Sequence, residues 1–232
     1  MMHTFSVGLE EGPDGGALVH SLTVPGCAAG GRDRDEALAA FPPVLSDWLH
    51  FLGAQGDAIP APGSELEIAV DEWVTTDADV SGGASAAFFA ADEAPLSAEE
   101  IDTGLRRLGD LRGPLLRRLR QLPPAELDRV EVGDWSATRI ADELARAQGW
   151  TLTRLGASPL AEVPQRPLAR LDTAMALVVQ RFTELAPGVA APPVEIDGEL
   201  WTPRKVLRRL LWLEWTLGGS LLRLLTPTGT AP

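Results

Sequence analysis

The sequence predicts an α+β chain: a small domain of order β-β-β-α-β, then a bundle of four helices. Three observations carry this reading. Single apolar residues alternate with polar ones in several stretches of the first 76 residues, as in half-buried strands. From residue 97 onward they recur every three or four residues, as along one face of a helix. Charge divides at the same place. Residues 1–96 hold sixteen Asp and Glu against Arg32 and Arg34 alone, while residues 97–232 carry eighteen basic and seventeen acidic side chains. The expected organisation is therefore a domain over 1–76, a connector over 77–96 and a helical domain over 97–232.

In the first domain, Phe5 to Glu10 reads as a strand, with Phe5, Val7 and Leu9 alternating. Pro13-Asp14-Gly15-Gly16 is a turn, and Ala17 to Val24 a second strand. A short third segment ends at Gly30-Gly31. Asp33 or Asp35 then caps a helix running to about Leu52. Pro42-Pro43 predicts a break or kink inside it, because proline lacks the helical N–H and clashes with the preceding turn. Glu65 to Val74 alternates again and closes the set. In the connector, Asp77 to Ala87 is small and polar, and Gly82-Gly83 predicts flexibility. Phe88-Phe89 is an apolar pair suited to docking the connector onto one of the domains.

Four helices follow. The first starts at Ser97, with Glu100 three residues on as a capping box, and runs to about Gln121 with a bend predicted at Gly113-Pro114. Its basic residues Arg106, Arg107, Arg117, Arg118 and Arg120 read as a solvated face. The second runs from Ser136 to about Leu155, and the third from about Pro167 to Leu185. A Pro- and Gly-rich loop is expected over Ala186 to Gly198. The last helix spans Trp201 to Leu225, with Thr202 as N-cap and Pro203 in the first turn. Its apolar stripe includes Leu210, Leu213, Leu217, Leu221 and Leu224. Trp135, Trp150, Trp201, Trp212 and Trp215 all fall in this part, as packing anchors or as the lining of an apolar pocket.

Several functions are disfavoured by composition. No apolar run approaches the roughly 18 residues of a membrane span. The first residues show no secretory pattern, so a cytoplasmic protein is expected. Cys27 alone forms no disulfide framework, and nothing basic beside it lowers its thiol pKa. His3, His20 and His50 lack metal-ligand spacing and read as surface or satisfied core residues. The acidic first part should repel phosphate backbones, so nucleic acid is not an expected partner and a basic protein is.

Two stretches carry family resemblances. Val24-Pro25-Gly26-Cys27, Gly30 to Leu38 and Gly56 to Pro62 are similar, in that order, to P-G-C … G-D-T-x-E-E-A-L and G-x-x-I-P-x-P. Residues 1–76 thus resemble the HicB-like domain, the small partial RNase H-like fold of bacterial antitoxins. The resemblance implies a basic toxin of the HicA kind as partner. No ribbon-helix-helix or helix-turn-helix segment follows it.

Trp201-Thr202-Pro203-Arg204, Leu207-Arg208-Arg209, Trp212 and Glu214 are similar to W-T-x-R-x-x-L-R-R-x-x-W-H-E-x-x-H. Trp135-Ser136, Ile140, Trp150 and Arg154-Leu155 are similar to W-S-x-x-x-I-x-x-H-x-x-x-x-x-x-W-x-x-x-R-L. Residues 97–232 therefore resemble the DinB-like metalloenzyme superfamily of four-helix bundles, which includes thiol-dependent transferases and hydrolases. The resemblance implies a metal on three histidines, and here those positions are Glu143, Leu213 and Leu217. One carboxylate and two leucines give too few donors for catalytic zinc, so neither metal nor cofactor is expected. The two leucines predict a dry, apolar site in the bundle, each burial contributing roughly 1.5–3 kcal/mol. Glu214 is expected to pair with Arg208 or Arg209.

The leading functional expectation is a non-catalytic interaction or regulatory protein, toxin–antitoxin-like in its first part and metal-free in its bundle. The alternative is a DinB-like enzyme or small-molecule binder, a thiol- or stress-metabolite-related transferase, using a metal-free pocket around Glu143, Arg139, Arg154, Trp150 and Trp212. A third reading is an RNase H-like nuclease using Asp33, Asp35 and Glu36 around Mg²⁺, though a helix start explains those acids more cheaply.

Overall fold

Alternation in the first 76 residues becomes a four-stranded sheet in the computed structural model, which describes residues 2–61, 63–132, 135–157, 164 and 166–225. Strands β1 (Met2–Glu11), β2 (Ala17–Ser21), β3 (Ala28–Gly31) and β4 (Glu65–Thr75) stand in the order β3-β2-β1-β4. β1 and β2 are antiparallel, as are β2 and β3, while β4 lies parallel to β1. That parallel return follows the helix α1 (Arg34–Ala54), which lies against β2 and β3. The β1–β2 turn uses Gly15 at φ 85°, a conformation open to glycine. β2 stops three residues short of the expected Val24. Ser21 there takes a turn bond instead, its N–H donating to the Cys27 carbonyl (3.1 Å).

α1 starts at Asp33, whose side chain accepts from the Glu36 N–H at 2.9 Å. Its buried stripe is Ala37, Phe41, Leu45, Trp48, Leu49 and Leu52. The break expected at Pro42-Pro43 does not occur, for the helix runs through both. Both prolines are on the exposed side. The carbonyls that lose their donors there can turn to water, and the buried stripe remains intact.

The connector expected to be flexible is packed. Phe89 is fully buried, with its ring over Gly8, where a Cβ would have no room. Val80 and Ala87 are buried too. Residues 1–94 form one compact unit together with 192–201, and 95–191 with 202–232 form the second. The loop expected over Ala186 to Gly198 holds the start of a hairpin, β7 (Val194–Ile196) and β8 (Glu199–Trp201). Its turn is Asp197-Gly198, at φ 56° and 79°, the left-handed pair that a tight two-residue hairpin demands. Trp201 is therefore a buried strand residue of the first unit and not the start of the last helix. Pro62 and the side chain of Trp135 lie outside the described residues.

In the second unit the caps decide where helices begin. Ser97 and Glu100 form the reciprocal box at the start of α2 (Ala98–Gln121), which continues through Pro114. Glu100 also receives both guanidinium nitrogens of Arg204 (2.6 and 3.0 Å), at the start of the last helix. The Arg204 hydrogen bonds outweigh partial burial and hold the Glu100 carboxyl down at about 2. A short helix α3 (Pro124–Leu127) and a small ladder of β5 (Val130–Val132) with β6 (Trp135–Ser136) lead to α4 (Ala137–Thr153), capped by Ser136. α5 (Pro167–Thr183) follows. The last helix is α6 (Pro203–Leu213), capped by Thr202, then a π-helical turn Glu214–Gly218 and α7 (Gly219–Leu225). Leu115, Leu119, Ile140, Leu144, Leu171 and Leu221 meet in its core. The fold is thus mixed α+β, a four-stranded sheet followed by helices. No helix among the described residues is long and apolar enough to cross a membrane.

Candidate functional site

The last helix buries only part of the stripe its leucines suggest, Leu210 and Leu221 among it. Leu207, Leu211, Glu214, Gly218, Leu221 and Leu225 are buried, while Leu213 and Leu217 are half-buried at the margin of the core. These positions recur every three or four residues, so one continuous face is buried through the π-helical turn. Glu214 lies at the centre of that face. Gly218 leaves the space: a Cβ there would lie 3.1 Å from Glu214 Oε1.

Glu214 does not pair with Arg208 or Arg209 as expected. Arg112 of α2 grips it from Nε to Oε1 and from Nη2 to Oε2, both at 2.7 Å. Arg112 Nη2 also donates to Gln148 Oε1 (2.9 Å), and Nη1 to the Leu171 carbonyl (2.9 Å). Gln148 Nε2 completes the ring onto Glu214 Oε2 at 2.7 Å. All three side chains are buried, at 2%, 0% and 1% exposure for Arg112, Gln148 and Glu214. The dry apolar site predicted for this core is therefore wrong at its middle, which is a satisfied polar network. Its sequence signal was available. Arg112 falls on the buried stripe Ile101, Gly104, Leu108, Leu115, Leu119 of α2, and Gln148 on that of α4.

The three positions where the DinB-like resemblance implies metal ligands do not suit a metal. Leu213 and Leu217 carry no donor, and Glu143 is engaged by Arg146 (2.5 Å). Among the described residues, no group of three or more His, Cys, Asp or Glu could hold a metal ion. Glu143 instead lines a cleft of about 810 Å³ with Arg139, Asp142, Trp150 and Arg170. Arg170 and Asp142 are paired across it at 2.8 Å. Arg154 stacks on Trp150, its guanidinium carbon 4.1 Å from the ring centre, and Arg209 stands at 5.6 Å. Of the expected pocket residues, Glu143, Arg139 and Trp150 line this cleft and Arg154 stands beside it. Trp212 is not part of its lining.

The first unit holds a second buried network. Glu10 Oε2 accepts from Ser85 Oγ (2.7 Å) and faces His20 Nε2 (3.1 Å). Its Oε1 accepts from Thr76 Oγ1 (2.9 Å) and from the N–H groups of Ala86 (2.7 Å) and Ala87 (3.0 Å). Burial pushes this carboxyl up, but His20, Ser85 and Ala86 outweigh it and bring it down to about 2. His20 also tilts against Phe89, ring centres 5.6 Å apart. One carboxylate thus fastens residues 76–89 to the sheet, which is why that segment is not a free linker.

Cys27 is buried, and burial pushes its thiol up to about 12 despite a hydrogen bond from Ser21, so it is no thiolate nucleophile. Asp33 is the cap of α1, and Glu36 pairs with Arg32 at 2.7 Å, so local helix chemistry accounts for that acidic run. A second cleft, of about 830 Å³, opens at the end of β4 and is lined in part by Glu11, Asp77, Asp197 and Glu199. No family model, curated protein or solved structure matches the chain.

Two outcomes test these networks. Removing one partner of a buried ion pair leaves the other uncompensated, so Arg112→Met and Glu214→Leu each lose about 3–5 kcal/mol in urea unfolding. The double variant, with both charges gone, recovers most of that loss. For Glu10 the folded pKa lies below the unfolded value near 4.5, so its contribution is present above that pH and lost as pH falls towards about 2. Across that window the advantage of the parent over Glu10→Gln shrinks by roughly 3 kcal/mol, read from urea curves at successive pH values.

Proposed function

We propose that this chain is a non-catalytic interaction protein, HicB-like in its acidic first unit and DinB-like but metal-free in its helical unit. One observation carries the proposal. Glu214, the carboxylate retained from the ligand motif, is wholly engaged by Arg112 and Gln148, while the neighbouring ligand positions carry leucine. Such a core holds the unit together and presents no nucleophile, base or metal donor to a substrate. The distribution of charge supports a basic protein as partner. The hairpin adds Glu195, Asp197 and Glu199 to the acidic first unit. A toxin of the HicA kind has that chemistry. Affinity purification of the full chain from its native cells at low salt recovers a basic protein near equimolar amount, released as salt screens the contact. Recovery of no stoichiometric partner, or of one indifferent to salt, overturns the reading.

The cleft beside Trp150 favours a second reading, a small-molecule binder without catalysis. Its lining joins an aromatic face to charged side chains, as ligand sites do. An aromatic carboxylate that binds there raises the melting temperature by more than about 2 °C, and Trp150→Ala abolishes the shift. A shift unchanged by that substitution places binding elsewhere.

A further inference from the structure

β4 is an edge strand whose two faces differ, and its outer backbone edge has no partner among the described residues. Register with β1 fixes the faces. Leu66, Ile68, Val70 and Trp73 stand opposite His3, Phe5, Val7 and Leu9, on the face that carries the core residues of β1. Glu65, Glu67 and Glu72 stand opposite Met2, Thr4 and Gly8, on the other face, where Glu72 already accepts from the Ala90 and Ala91 N–H groups (2.6 and 3.4 Å) and Glu65 and Glu67 are exposed. Asp71 is the extra residue of a bulge, and Ser6 Oγ donates to it. The apolar row is unusually open: Val70 is 46% and Trp73 54% exposed. Trp73 is nevertheless held in place, by Nε1 donating to Glu11 Oε2 (2.9 Å) and by Arg34 4.9 Å from its ring centre.

An added strand would extend both faces at once. Its alternate side chains would have to be apolar over Ile68, Val70 and Trp73, and basic over Glu65 and Glu67. A second copy of β4 fails that requirement, since self-pairing would set one acidic row against another. We infer that β4 receives an extended segment of a protein partner in which basic and apolar residues alternate, added as a fifth strand by main-chain hydrogen bonds. The segment would run on towards the cleft at Val74 to Asp77, where Glu11 and Asp77 prolong the acidic character. This inference rests on the proposed interaction role and names the mode of contact.

The test uses the full chain and three synthetic peptides of about ten residues. One alternates lysine with valine, one carries the same composition in two blocks, and one alternates glutamate with valine. The alternating lysine peptide is expected to bind best, at least about tenfold tighter than the block peptide, and to slow amide exchange within residues 65–75. Glu65→Lys with Glu67→Lys, checked for intact far-UV circular dichroism, weakens it at least about tenfold. Equal binding of the block peptide, protection outside 65–75, or indifference to the charge reversal overturns strand addition. So does sedimentation showing that the chain pairs with itself through β4. A native partner that is recovered but protects other residues removes strand addition alone. Recovery of no partner removes the interaction role beneath it.

Discussion

An ionised carboxylate withdrawn from water must be met by donors, and both units of this chain are built around one such group. Glu214 is met by the guanidinium of Arg112 and the amide of Gln148; Glu10 is met by His20, two hydroxyls and two backbone N–H groups. The solutions differ in reach. Glu214 gathers side chains from α2 and α4, with the Leu171 carbonyl of α5 holding the same Arg112. It therefore fixes how four helical segments meet. Glu10 gathers residues 76–87, which lack the apolar content to pack on their own. A buried pair gains little net stability over an apolar pair of equal volume, because desolvation cancels most of the attraction. Its effect is selective: an arrangement that separates Arg112 from Glu214 leaves two uncompensated charges.

Much of the fold was legible because local chemistry sets it. Ser97 with Glu100, Ser136, Thr202 and Asp33 each start a helix, and each is a short polar side chain just ahead of an apolar repeat. The strands followed from alternation. What was not legible depends on residues far apart in sequence. Glu214 and Arg112 are 102 positions apart, and nothing near Glu214 distinguishes Arg112 from the closer Arg208 and Arg209. The hairpin at Asp197-Gly198 had a local signal, but its short strands were obscured by a Pro- and Gly-rich surround. Pro42-Pro43 misled because a proline pair harms a helix most where the orphaned carbonyls are buried, and here the prolines face outward.

The candidate site shows the same division. Glu143 and Trp150 lie seven positions apart on α4, two turns along one side, so their shared cleft follows from helical spacing. Leu213 and Leu217 share that spacing, but the buried face runs one position on, through Leu211, Glu214, Gly218 and Leu221, and leaves both leucines at its margin. Arg112 on α2 holds Glu214 at that centre, and Gly218 leaves it room.

A long apolar edge strand invites pairing with any other strand, and proteins commonly blunt such edges with charge. The acids of β4 do this, and they leave Trp73 and Val70 open on the opposite face. Uniform charge on both faces would exclude every strand. Charge confined to one face excludes strands that are acidic or wholly apolar, because the carboxylates would be crowded or stripped of water without a cation. It admits those that bring lysine or arginine to one face and apolar side chains to the other. Glu65 and Glu67 thus do more than keep the chain from pairing with itself: by their placement they specify the alternation that a partner strand must carry.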